Sequence, residues 1–251
     1  MTMAVTTTPR TAALPRDTAM QLAATEYQRF LDLLRSLRPD DWTKPTECAG
    51  WDVRAMAAHA LGMVEMAASM RESNRQVKRA RQRGGVFIDA LTAVQVDERA
   101  EMTPAELVDR FAARAPKAAR ARRRTPGFIR RRPMPVQQRV GDHDEPWTIG
   151  YLIDIVLTRD PWMHRVDIVR ATGAAHTLTA AHDGVLVADV VAEWAARHGR
   201  PYTLRLTGVA GGEWSAGTDG PHLEMDAVEF CRVLSLRGGP ADGLLATEVP
   251  F

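Results

Sequence analysis

The chain is poor in several residue classes, and each shortage excludes something. Two cysteines, Cys48 and Cys231, stand far apart in 251 residues and in no metal-ligand spacing. A disulfide framework and a structural cysteine–zinc site are therefore not expected, and both thiols read as plain buried residues. No run approaches the roughly 18 uninterrupted apolar residues that a membrane span needs. The opening MTMAVTTTPRTAALPRD lacks the apolar core of a secretory leader, so a cytoplasmic protein is the expectation. Charge of one sign is also scarce. Lys plus Arg number 33 and Asp plus Glu 31, and the net charge of +2 demands no polyanionic partner. Hydrophobic residues make up 45% of the chain, enough for one large domain or two modest ones.

What is present is helical patterning. Residues 1–16 read as a disordered tail. Leu22, Tyr27, Phe30, Leu31 and Leu34 then recur at three- and four-residue steps, predicting a helix from Asp17 to about Arg38, where Pro39 stops it. A second helix opens at Asp52 and runs through His59 and Met63 to about Met70, or further into the basic stretch that follows, with Gly84-Gly85 as its break. A third begins at TPAELVDRF, where Thr103, Pro104 and Glu106 form a capping box. RRRPMPVQQRVGDHDEPW reads as a long loop. A fourth helix runs from Thr148 to Gly173, with Pro161 predicting a kink inside it. These four helices predict a bundle over residues 17–175. Beyond it, a helix over 183–198, strands in PYTLRLTGV, GGEWSAG and HLEMD, and a closing helix over 227–236 predict a small α+β domain with an antiparallel sheet over 176–251. The fold class is mainly α.

One juxtaposition carries chemistry. Asp160 and His164 are four residues apart, so they share a helix face one turn apart. His59 lies on another predicted helix. A carboxylate and two imidazoles brought together hold one divalent cation with positions left open for water or substrate, the pattern of a catalytic rather than a closed structural centre. Each signal alone has a plainer reading, as a packed histidine or a helical ion pair. Asp167, three residues after His164, reads either as an orienting partner or as an ion pair with Arg170. Trp42, Trp51, Trp147 and Trp162 read as packing residues, and His143 and His176 as solvated loop residues.

The strings around these residues resemble a known family. CAGWDVRAMAAHALG and DPWMHRVDIVRATG are similar to the two metal-binding segments of the mycothiol-dependent maleylpyruvate isomerase family, part of the wider DinB-like bundles, and EFCRVLSLRGGPADGLLATEVPF is similar to the end of its small C-terminal domain. The resemblance implies a DinB-like four-helix bundle with one divalent metal, usually zinc, held by His59, Asp160 and His164. It also implies mycothiol as thiol cofactor or cosubstrate, and a small electrophilic substrate resembling maleylpyruvate. The family's isomerase carries Glu where this chain has Asp160, one methylene shorter. An arginine of the C-terminal domain faces the family's site; Arg237 is the best match, expected as a catalytic residue that binds the substrate carboxylate or the thiol, and Arg232 is the second. A metal-dependent isomerase and a thiol S-transferase are both consistent with this, and a non-catalytic binding module of the same fold is the alternative.

Two arginine-rich clusters stand apart from the site. Arg71, Arg75, Lys78, Arg79, Arg81 and Arg83 form the first. Arg114, Lys117, Arg120, Arg122, Arg123, Arg124, Arg130, Arg131 and Arg132 form the second. They carry no nucleic-acid reader motif and no interleaved aromatics, so solvated helix faces are favoured over nucleic-acid binding.

Overall fold

The computed structural model describes residues 8–251. The bundle is built from four helices: α1 (Arg16–Ser36), α2 (Val53–Ala68), α5 (Pro104–Arg124) and α8 (Leu157–Thr172). Between α2 and α5 lie α3 (Met70–Arg83) and α4 (Phe87–Asp97). The first bundle helix stops where the proline rule places it, at Leu37, ahead of a 3₁₀ turn over Pro39–Thr43. Asp52 caps α2 by accepting from Ala55 N at 2.7 Å, and Thr103 and Glu106 form the predicted capping box on α5. Phe30, Leu34, Met56, Leu61, Phe111, Ala118 and Ile168 interdigitate as the bundle core.

After α5 come α6 (Gly127–Arg130), a hairpin of β1 (Gln138–Val140) and β2 (His143–Glu145), and α7 (Ile149–Tyr151). A π-helical turn over Leu152–Val156 then leads into α8. The C-terminal elements are α9 (Val185–His198), β3 (Tyr202–Thr207), β4 (Gly212–Ala216), β5 (His222–Asp226) and α10 (Ala227–Leu234). Tyr202, Leu204 and Leu206 alternate inward from β3 and pack with Val187, Val190, Trp194, Phe230 and Leu234. Trp162, Met163 and Val166 of α8 belong to this second core. One helix is thus buried from both sides, with its bundle face in the first core and its other face in the second.

Five expectations need correction. The tail is not free from Thr8 onward: Arg10 N donates to Pro146 O and Thr148 N to Arg10 O, both at 2.9 Å, and the Arg10 side chain reaches Glu145. Residues 1–7 lie outside the described residues. The second predicted helix ends at Ser69, whose extended backbone (φ −152°) and side-chain cap on Glu72 N start α3 as a new element. The separate helix α4 was not foreseen, although Phe87, Ala90, Leu91 and Val94 keep a helical step and Ala90 and Leu91 pack on Ala80 of α3. A buried polar contact adds to this apolar one, Gln95 Nε2 donating to Gln76 Oε1 at 3.0 Å. The long loop contains the β1–β2 hairpin. The C-terminal sheet is mixed, in the order β4-β3-β5, with β5 parallel to β3. The five residues joining β4 to β5 cross under the start of β3. Gly220 permits this, since a Cβ there would lie 2.2 Å from the Pro201 carbonyl carbon.

The predicted proline distortion is present but falls earlier than Asp160. Pro161 cannot donate to Leu157 O, and its ring crowds that carbonyl. Leu157 responds with ψ of 2°, directly after the π turn. The released carbonyl is taken up by Arg122, a fully buried residue of α5 whose Nη1 donates to Leu157 O at 3.0 Å. The same guanidinium donates to Ile153 O, Tyr27 Oη and Thr158 Oγ1. Helical geometry is therefore regular again by the turn carrying Asp160 and His164.

Buried ion pairs join the two cores. Asp183 is fully buried and accepts from Arg165 Nη2 at 2.8 Å, Trp162 Nε1 at 3.0 Å and Thr179 N at 2.7 Å. Burial alone would raise its pKa; these donors outweigh that and lower it to about 2. Glu193 is likewise lowered to about 2, burial being outweighed by the charges of Arg159 and Arg197. Both carboxyls bind protons more readily in the unfolded chain. Their stabilisation is complete above the ordinary carboxylate range and is lost as pH falls through about 2. Thermal unfolding followed by circular dichroism is predicted to show a melting temperature that drops steeply below pH 4. Asp183→Asn is predicted to make that drop shallower while destabilising the neutral protein by about 3–5 kcal/mol, because Arg165 and Arg29 lose their buried counter-charge.

Candidate metal centre

The three sequence-predicted ligands meet. His59 comes from the middle of α2, and Asp160 and His164 from successive turns of α8. His59 Nε2 lies 3.3 Å and His164 Nε2 3.4 Å from the same oxygen, Asp160 Oδ1. All three donor atoms lie within 4.8 Å of one another. The imidazole rings stand nearly perpendicular, at 88°, with centroids 5.1 Å apart. Both histidines are buried, and the Asp160 side chain is 14% exposed.

The donor set fits a divalent cation. An ion with bonds of about 2.0–2.2 Å and tetrahedral angles keeps its donors about 3.4 Å apart, the separation seen here from Asp160 Oδ1 to each imidazole. Asp160 Oδ2 is buried and has no hydrogen-bond partner among the described residues, nor has His59 Nδ1. A bare carboxylate oxygen in such a place is costly unless a cation or donor satisfies it. Burial would raise the Asp160 pKa, but the two imidazoles outweigh it and hold the carboxyl far below its usual range. Burial would lower the pKa of His164, but the Asp160 and Asp167 carboxylates outweigh it and raise it well above the ordinary imidazole value. The site therefore favours positive charge among its three ligands, and a cation would take the place of a proton there.

His164 is fixed from behind. Its Nδ1 lies 3.1 Å from Asp167 Oδ2, an arrangement that turns Nε2 toward Asp160. Asp167 is fully buried and accepts two hydrogen bonds from Arg237, from Nε to Oδ1 at 2.7 Å and from Nη2 to Oδ2 at 2.8 Å. Arg237 Nη1 donates to Ser235 O at 3.3 Å. The open reading of Asp167 is thereby resolved: it faces His164 and Arg237, while Arg170 pairs with Glu47. Arg232, the second choice for the site arginine, pairs with Glu47 and Glu229 instead. Glu47 ties the loop between the 3₁₀ turn and α2 to both α8 and α10.

Two site neighbours were read from the sequence only as a packing residue and a plain buried thiol. Trp51 is more than packing at a distance: its ring lies 5.0 Å from that of His59 and 6.0 Å from that of His164. Cys48 is half-buried rather than buried, with Sγ 3.8 Å from both Asp167 Oδ2 and Arg237 Nη2. The available signal was their position in CAGWDVRAMAAH, a tight turn that leads directly into the His59 helix. Thr46 and Trp51 close that turn through Thr46 N to Trp51 O at 3.0 Å. Cys48, His164 Nδ1 and Asp167 form a second convergent donor group, but the Arg237 guanidinium lies against it. A cation already faces that side of the imidazole.

With this geometry in hand, comparison with known proteins is informative. The family model for the mycothiol maleylpyruvate isomerase N-terminal domain matches residues 23–169. No curated protein sequence matches the chain significantly. Among solved structures, the crystal structure of the mycothiol-dependent maleylpyruvate isomerase is similar over 90% of both chains, with a TM-score of 0.57 and 16% identity. A histidine-to-alanine mutant of that enzyme is similar over the same shares, with a TM-score of 0.54 and 15% identity. At such identity the likeness concerns the fold, and it agrees with the expected mainly α, DinB-like architecture. The family match spans more than half of the chain and includes His59, Asp160 and His164, and the protein belongs to the mycothiol maleylpyruvate isomerase family.

Proposed function

We propose that the protein is a metal-dependent enzyme that uses mycothiol on a small electrophilic substrate of the maleylpyruvate type, with His59, Asp160 and His164 as the metal ligands. The observation that carries this reading is the convergence of His59 Nε2 and His164 Nε2 on one Asp160 oxygen at 3.3 and 3.4 Å, from two separate helices. Zinc is the metal that best suits two imidazoles, one carboxylate and an open position. When bound, the ion supplies Lewis acidity that favours the thiolate form of a thiol at neutral pH. A thiol adding reversibly to a conjugated cis double bond makes it a single bond free to rotate, and its departure leaves the trans isomer.

The chain's own residues orient this chemistry. Asp167 holds the His164 ring so that Nε2 is the ligand nitrogen. Arg237 fixes Asp167 with two donors from the C-terminal part of the chain. The guanidinium edge suited to a bidentate substrate clamp is thus already engaged, so Arg237 is assigned as a positioning residue that acts through Asp167. Trp51 walls the site beside both imidazoles and excludes water from the ligand atoms. S-transfer is the second reading. The observation favouring it is Asp160 itself, which is one methylene shorter than the family isomerase's Glu and would leave a different space beside a bound cation for the electrophile.

Elemental analysis of the purified protein is predicted to find about one equivalent of divalent metal, lost in His59→Ala and in His164→Ala. No metal in the wild type after zinc reconstitution would overturn the assignment. With maleylpyruvate and mycothiol, turnover is predicted to require both thiol and metal. Free thiol recovered alongside a trans product identifies isomerisation, and a stable thioether identifies S-transfer. Arg237→Met is predicted to lower kcat or metal affinity by about 10–100-fold while leaving the fold intact by circular dichroism. Unchanged kinetics and metal affinity would remove Arg237 from the positioning role.

A further inference from the structure

The structure separates two basic clusters that look alike in sequence. In α3, Arg75 pairs with Glu72 and Glu98, Arg79 with Glu98, and Arg83 with Asp97. Half of that cluster is paired in this way and braces the α3–α4 pair, while Arg71, Lys78 and Arg81 are exposed and make no ion pair within 4.0 Å among the described residues. The second cluster divides further. Arg122 and Arg130 are buried structural residues: Arg122 fills the hydrogen-bonding needs around Pro161, and Arg130 pairs with Asp154 and donates to Arg122 O. Arg114 lies at the limit of reach of Glu65, at 4.0 Å. The remainder, Lys117, Arg120, Arg123, Arg124, Arg131 and Arg132, is exposed, and none of these six makes an ion pair within 4.0 Å among the described residues.

Four of these cations lie on the second half of α5 and two directly after α6. Lys117, Arg120 and Arg124 share a face of α5 at i, i+3 and i+7, with Arg123 beside them. Arg130 pins the short helix α6 back onto the last turn of α5, donating from Nε to Thr125 O at 3.1 Å. Arg131 and Arg132 follow directly on α6, within eight residues of Arg124. Phe128 lies in α6, between the two groups of cations along the chain, and is 58% exposed. The sequence reading found no aromatic among the basic residues, yet Phe128 stands between Arg124 and Arg130 in the chain itself. A few cations at a helix C-terminus are explained by the helix dipole. Six without counter-ions around an exposed phenyl ring exceed that need.

We propose that this surface, Lys117, Arg120, Arg123, Arg124, Arg131 and Arg132 around Phe128, is a docking site for single-stranded nucleic acid. Five of the six cations are arginines, whose planar forked donors match phosphodiester oxygens. The exposed ring offers a stacking platform for an unpaired base. A lipid surface fits less well. Adsorption to a bilayer needs an apolar helix face, and the apolar face of α5, with Leu107, Phe111, Ala115 and Ala118, is consumed by the bundle core. The proposal does not depend on the thiol chemistry assigned above, since none of its residues is a metal ligand or touches one.

The test is fluorescence anisotropy of a short labelled oligo(dT) titrated with the full-length protein at low salt, repeated across a salt series. Binding is predicted, with the logarithm of affinity falling against the logarithm of salt with a slope of about −4 if all six cations engage phosphate. Arg120→Glu/Arg123→Glu/Arg124→Glu is predicted to weaken binding more than tenfold, with metal content and thermal midpoint unchanged. Lys117→Gln/Arg131→Gln/Arg132→Gln provides the same test should the first variant fail to fold. Phe128→Ala is predicted to weaken oligo(dT) about tenfold and leave a duplex of equal length unaffected. No binding at low salt, binding that survives the charge variants, or retention on anionic phosphatidylserine vesicles without oligonucleotide binding would each overturn the proposal.

Discussion

A carboxylate held against two imidazoles inside a helical bundle is the constraint around which the rest of this structure is arranged. Asp160 is drawn close to His59 and His164 in a place where one of its oxygens finds no protein donor. Such a charge is destabilising unless it is compensated, and the compensation must come from positive charge shared with the imidazoles. The surroundings enforce the geometry. Arg237 and Asp167 lock His164 from behind, and Trp51 lies against both rings. The ligands are not on a loop that could relax the strain; they are on the two most deeply packed helices of the bundle.

That rigidity is traceable to α8. The helix is sandwiched between two cores, and the proline that would weaken it is accommodated by a π turn and by Arg122 reaching from α5. The C-terminal elements therefore do more than append a domain. They bury the far face of α8, and they send Arg237 back to His164 through Asp167. Glu47, gripped by Arg232 and Arg170, ties the Cys48–Trp51 turn into the same assembly. Loss of the C-terminal contacts would be felt at the site even though the C-terminal segment supplies none of the three candidate ligands.

The site was legible in the sequence to the extent that it depends on helical periodicity. The four-residue step from Asp160 to His164 fixes a shared face whatever the tertiary structure, and His59 lies in a run whose period marks a helix. Features that depend on polar burial or on backbone close approach were not legible. Phe87, Ala90, Leu91 and Val94 do mark α4 by their helical step, but the buried Gln76–Gln95 contact that joins it to α3 appears in no apolar pattern. The parallel pairing of β5 with β3 rests on Gly220 passing close under Pro201, which no alternation pattern reports. The position of Arg237 was anticipated only by resemblance, and its engagement by Asp167 is visible only in three dimensions. Likewise the arginine clusters read as one class in sequence, and only their ion-pair partners distinguish a brace from a free surface.

The central claim is that a cation binds on the Nε2 side of His164, with His59 and Asp160, and not on its Nδ1 side with Cys48 and Asp167. X-ray absorption spectroscopy of the zinc-loaded protein, with no added thiol, addresses this directly. The predicted first shell contains nitrogen and oxygen only, at about 2.0–2.2 Å, with the outer-shell pattern of two imidazoles. A sulfur scatterer at about 2.3 Å would place the ion on Cys48 and contradict the account.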